Sequence, residues 1–103
     1  MMELPYARST SGDLARAKDP EVTGNELLPY AVHHSADVRA AVAARTDCPM
    51  GALISLGHDR EPVVLEVLLR NVRTPSSVVR ALTDHRNQRI ADLAAQRLRN
   101  SFR

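Results

Sequence analysis

Five side chains in this 103-residue sequence could hold a metal ion or move a proton near neutral pH: His33, His34, His58, His85 and the lone thiol Cys48. Asp59 and Glu61 add a carboxylate pair between the histidines. Zinc would need its ligand atoms about 2 Å from one ion. His33, Asp59 and His85 instead fall 26 residues apart, at one position of a repeat. They should therefore line an edge, about 10 Å from unit to unit, the separation of packed helices. They read as polar corner residues that cap helix C-termini, where a partly charged imidazole is favourable.

A catalytic thiol needs a base and an oxyanion site. Cys48, beside Asp47 and Arg45 and followed by Pro49, has neither in sequence reach and reads as a small half-buried residue. One cysteine can form no internal disulfide and no zinc or iron–sulfur cluster, which fits a reducing cytoplasm. Gly12, Gly24, Gly51 and Gly57 are scattered singly, so no loop cradles phosphate. The Asp59/Glu61 carboxylates read as solvated corner charge. No catalytic, cofactor-binding or metal-ligating residue is assigned, and the chain is expected not to be an enzyme. No window approaches 18 apolar residues and the N-terminal stretch has no apolar h-region, so neither membrane spanning nor secretion is expected.

The elements that must position these residues follow from self-similarity at a shift of 26. Thr23, Pro49 and Pro75 superpose, as do Leu27, Leu53 and Val79; Tyr30, Leu56 and Leu82; Val38, Val64 and Ile90; Ala41, Val67 and Leu93. Each unit reads as a two-turn helix with an i, i+3 apolar stripe, a polar corner, then a longer helix with i, i+3, i+4 apolar positions. Pro49, Pro62 and Pro75 are placed in helix first turns, where the missing N–H costs nothing. Thr74, Ser76 and Ser77 are expected to supply oxygens to the orphan N–H groups of the helix after Pro75. With 3% aromatic residues, the core must be Ala, Val and Leu, which suits closely spaced helices.

The expected fold is all-α: a short right-handed α-solenoid of about three 26-residue two-helix repeats. Residues 1–12, with Pro5, Ser9, Thr10, Ser11 and Gly12, read as a flexible leader, and residues 13–103 as the single domain. Asp13 to Lys18 reads as the second helix of an incomplete unit. The helix from about Gln88 to Asn100, extended by Ala94, Ala95, Leu98 and Phe102, reads as a C-terminal cap.

The run Asp37-Val38-Arg39-Ala40-Ala41-Val42-Ala43-Ala44-Arg45-Thr46-Asp47-Cys48-Pro49, followed by Leu53, Leu56 and an acidic corner, resembles the bacterial leucine-rich repeat variant family, relatives in style of HEAT-type repeats. The resemblance spans roughly residues 13–95. It implies a superhelix of alternating short and regular helices with a general role in macromolecular interaction. It carries over no catalytic residues. The family's usual repeat is a little shorter than 26 residues, and its iron–sulfur domain has no counterpart in a chain with one cysteine.

Two surfaces are singled out. Val63-Val64-Leu65-Glu66-Val67-Leu68-Leu69 is apolar almost all round, while the repeat mates of Leu65 are Arg39 and Ala91 and those of Leu69 are Ala43 and Ala95. Either Leu65 and Leu69 form an exposed patch, or this central helix is covered on both sides by its neighbours. The first reading makes the second-helix face around Arg39, Leu65, Leu69 and Asp92 a docking site for a protein or a second copy. The alternative partner is nucleic acid, bound by a C-terminal basic edge of Arg45, Arg70, Arg73, Arg97 and Arg99. Charge is divided accordingly: residues 1–67 carry six Lys or Arg against ten Asp or Glu, and residues 68–103 carry eight against two. Thirteen Arg to one Lys suggests a GC-rich bacterial source.

Overall fold

The structure is a computed structural model that describes the backbone of residues 5–101 and the side chains of residues 10–100. Among these residues all regular structure is helical. The order is α1 (Pro5–Lys18), a 3₁₀ turn η1 (Gly24–Leu27), α2 (Leu28–Ala31), α3 (Ala36–Ala43), α4 (Met50–Leu56), α5 (Pro62–Arg70), α6 (Ser76–Leu82) and α7 (Gln88–Ser101). No described helix is long and apolar enough to cross a membrane.

Element starts keep the sequence period. The first helices begin at Gly24, Met50 and Ser76, the second helices at Ala36, Pro62 and Gln88. In the earliest of these units the first helix is divided. Gly24 takes a left-handed φ of 57°, and Pro29 has no N–H to bond back four residues, so η1 and α2 share a span that α4 covers unbroken. Pro62 opens α5 in its first turn as expected. Pro49 and Pro75 instead sit one residue before their helices, at ψ near 143° and 146°. Their carbonyls accept the first helical N–H groups, Ala52 and Leu53 on Pro49, Val78 and Val79 on Pro75. Thr74 does not cap α6: its hydroxyl donates to the Leu68 carbonyl at 2.7 Å and so closes the end of α5.

The core is aliphatic and repeats with the helices. Val38, Val64 and Ile90 are fully buried, as are Leu27, Leu53 and Val79 within 1%. Each second helix packs on the next, α1 on α3, α3 on α5 and α5 on α7, while α2, α4 and α6 lie on their own unit's second helix. Just after α4, Gly57 lies close against α6, where an added Cβ would stand 2.8 Å from Val78 Cγ1.

The expected incomplete unit and part of the expected leader form one helix. Residues 5–12 belong to α1 (Pro5–Lys18). Residues 1–4, Phe102 and Arg103 lie outside the described residues.

Candidate interaction surface

The histidine-bearing corners are built for backbone capping. His33 Nδ1 accepts the Ser35 N–H at 3.0 Å, Asp59 Oδ1 the Glu61 N–H at 3.0 Å, and His85 Nδ1 the Asn87 N–H at 3.0 Å. These contacts hold the start of α3, α5 and α7, not helix C-termini as the sequence suggested. The same residues reach across units. His33 Nε2 meets Asp13 at 2.9 Å, and Asp59 takes a two-pronged contact from Arg39 at 2.7 and 3.2 Å. At the third place the repeat counterpart of Asp13 and Arg39 is Leu65, whose side chain has no charge to pair with His85. Arg39 also donates to the His33 and His34 carbonyls, and its hydrogen bonds to the Asp59 carboxylate further favour the charged guanidinium. Among the described residues no three His, Cys, Asp or Glu side chains gather about one point.

The opposite corners carry a second ladder. Arg45 Nη1 donates to the carbonyls of Ala17 and Asp19, Asn71 Nδ2 to those of Ala43 and Arg45, and Arg97 Nη1 to those of Leu69 and Asn71. Donor and acceptors are separated by 28 and 26 residues every time. Each donor thus serves the C-terminal end of the preceding second helix, reaching the Ala17, Ala43 or Leu69 carbonyl and adding a second bond to the Asp19, Arg45 or Asn71 carbonyl, which also accepts the N–H of Val22, Cys48 or Thr74. Arg45 adds a fork to Asp47 at 2.8 and 2.7 Å, which holds the Asp47 carboxyl below the usual carboxylate range. Cys48 lies behind this corner. Burial, with Asp47 nearby, pushes its thiol up to about 11, so it stays protonated at neutral pH.

These placements correct both surfaces expected from sequence. Leu65 is fully buried and Leu69 is 5% exposed, because α5 lies between α3 and α7 and both flanks are covered. Leu65 and Leu69 thus form no exposed patch, and of the two readings of this run the one found is the central helix covered on both sides. Arg39 is half-buried and tied to Asp59, and only Asp92, hydrogen-bonded to Gln88, faces solvent. In the proposed basic edge, Arg45 and Arg97 are half-buried in the ladder, whereas Arg70, Arg73 and Arg99 are exposed.

The exposed large apolar side chains lie elsewhere: Val63 in the first turn of α5, Val32 and Val72 at corners, and three on the first helices. Leu28 is 41% exposed, Met50 45% and Ile54 46%. Leu28 and Ile54 occupy one repeat position, and Met50 is one helical turn from Ile54 on the same face. Beside them a shallow groove of about 190 Å³ opens between α4 and α6, lined by Ile54, Gly57, His58, Ser77, Val78 and Ala81. The signal was present in the sequence: Leu28 and Ile54 fall just outside the i, i+3 core stripe, where a solvated helix would carry polar residues, as Arg80 does in the third unit.

Comparison with protein-family models, with curated proteins and with solved structures finds no match for this chain.

Proposed function

We propose that this chain is a non-catalytic protein-binding module, a short right-handed α-solenoid of three 26-residue units closed by α7, working in a bacterial cytoplasm and related to the leucine-rich repeat variant family. The common period of helix starts, buried seams and carbonyl ladder supports the repeat, as do Cα extents of 55 × 27 × 16 Å. The non-catalytic reading is supported by the employment of His33, Asp59, His85 and Arg39 in holding backbone. The observation that carries binding is the row of outward apolar side chains, Leu28, Met50 and Ile54, on neighbouring first helices.

The test is affinity capture of the full chain's partners from its native lysate, with and without nuclease. The expected result is a protein that stays bound after nuclease treatment and is lost on Ile54→Arg. Capture that nuclease abolishes overturns the reading in favour of the alternative, nucleic acid on Arg70, Arg73 and Arg99. Duplex binding that falls steeply with salt and is lost on Arg70→Ala with Arg73→Ala would establish that alternative.

A further inference from the structure

We propose that His85 is an acid-sensitive latch on the last helix, so that the start of α7 loosens as pH falls through the imidazole range.

Three equivalent corners make the comparison. At each, a side chain accepts at 3.0 Å the N–H two residues later, just ahead of a second helix: His33 Nδ1 from Ser35, Asp59 Oδ1 from Glu61, His85 Nδ1 from Asn87. A carboxylate keeps its acceptor oxygens down to about pH 4, whereas a ring nitrogen accepts only while the imidazole is neutral, above about pH 6.5. Once the ring is charged both nitrogens are donors, and turning it over restores no acceptor. The middle corner therefore withstands mild acid, and the outer two lose their acceptor.

Those two differ in what protonation gains. His33 Nε2 lies 2.9 Å from Asp13, so a charged ring releases Ser35 but forms an ion pair with α1. His85 has no such recourse. The repeat counterpart of Asp13 is Leu65, and among the described residues no carboxylate pairs with the His85 ring. The charged and titratable groups around it are Asp84 and Arg86 on its own corner and His58 and Asp59 on the corner before. Asp84 and Arg86 carry opposite charges, and Asp59 is already held by Arg39. On α7 itself, Arg89 is paired with Glu66. A positive charge at the start of α7 also opposes the helix dipole.

What His85 holds is itself a capping residue. Asn87 Oδ1 accepts the Arg89 and Ile90 N–H groups, so displacement of Asn87 frees the first turn of α7. Ile90 is fully buried there, and α7 packs on both α5 and α6. The neutral ring stabilises the native corner, while the unfolded chain has no corner to hold. Protons therefore favour opening, and stabilisation that is whole above the imidazole range is lost as pH falls through it.

Urea unfolding of the full chain and of His85→Asn, at about pH 7.5 and about pH 5, tests this, because an Asn side-chain oxygen accepts the same N–H at both. Between the two conditions the unfolding constant of the parent should rise about fivefold more than that of the variant, the factor that a lost helix cap represents. Amide protection in the parent should fall at Arg89, Ile90 and Ala91 and hold at Val63, Val64 and Leu65, the matching start of α5. Parent and variant that respond alike to acid overturn the proposal, as does protection lost equally at both helix starts. A second measurement needs no substitution. Ring nitrogen shifts of the parent near pH 7.5 should show the Nε2–H tautomer of His85, and the Nδ1–H tautomer would overturn the proposal.

Discussion

The side-chain amide of Asn71 donates to the carbonyl of Arg45 at 2.9 Å, and one unit earlier the Arg45 guanidinium makes the same contact with the Asp19 carbonyl at 2.8 Å. Two chemically different donors thus serve one repeat position, because what the position demands is N–H groups aimed at two carbonyls. Asn71 is 5% exposed and its Oδ1 also accepts the Arg73 N–H, so both its amide nitrogen and its oxygen are engaged. Asn71→Ala would take the side-chain donor from the Ala43 carbonyl and leave the Arg45 carbonyl with the Cys48 N–H alone. The expected loss is about 2–3 kcal/mol, read as a lower urea midpoint at unchanged slope. Arg70→Ala and Arg73→Ala, which truncate exposed side chains, should each stay within about 0.5 kcal/mol.

Leu65 and Ile54 separate core from surface. Leu65 is fully buried and Ile54 is 46% exposed. Leu65→Ala should cost about 2–5 kcal/mol through lost burial and a cavity. Ile54→Ala should cost about 0.5 kcal/mol or less. Thermal unfolding of both variants checks the pair, and equal costs would contradict the burial of α5.

The Arg39–Asp59 contact joins one unit to the next through side chains that are 16% and 8% exposed. A double-mutant cycle on Arg39→Ala and Asp59→Ala should give a coupling of about 1–3 kcal/mol, with little salt dependence because the pair is largely shielded. The exposed pair Arg89–Glu66 should give less than about 1 kcal/mol in the same cycle.

Cys48 makes a chemical prediction. Burial raises its thiol to about 11 from an ordinary 9.0. At pH 8 a disulfide reagent should label the native protein about a hundredfold more slowly than the urea-unfolded chain, since thiolate is the reacting form. A raised folded value means that the stabilising contribution is whole below about 9 and is lost as pH rises through about 11. Cys48→Ala should remove that alkaline loss.

Much of the helical layout was legible because burial repeats with the chain. The identical spacing of Val38, Val64 and Ile90 needs only apolar identity to be seen. The surface was less legible, for two physical reasons. Hydropathy marks Leu65 and Leu69 as apolar without saying how many neighbours cover them, and α5 is flanked on both sides. Arg45 and Arg97 look like free charge in sequence, yet a guanidinium is also a capping donor for helix-end carbonyls, and the donor role wins wherever those carbonyls are within reach. Leu28 and Ile54 carry little signal singly, because one exposed Leu is ordinary; their significance lies in recurrence at one position on adjacent helices.

The repeat itself is tested most directly by duplicating residues 49–74, which inserts one further unit between two existing ones. In a stack each unit contacts only its neighbours, so stability adds along the chain. The lengthened protein should keep its helical signal per residue, unfold cooperatively and melt no lower than the parent. Loss of the cooperative transition, or a melt well below the parent, would mean that the helices close into a globule that has no place for another unit.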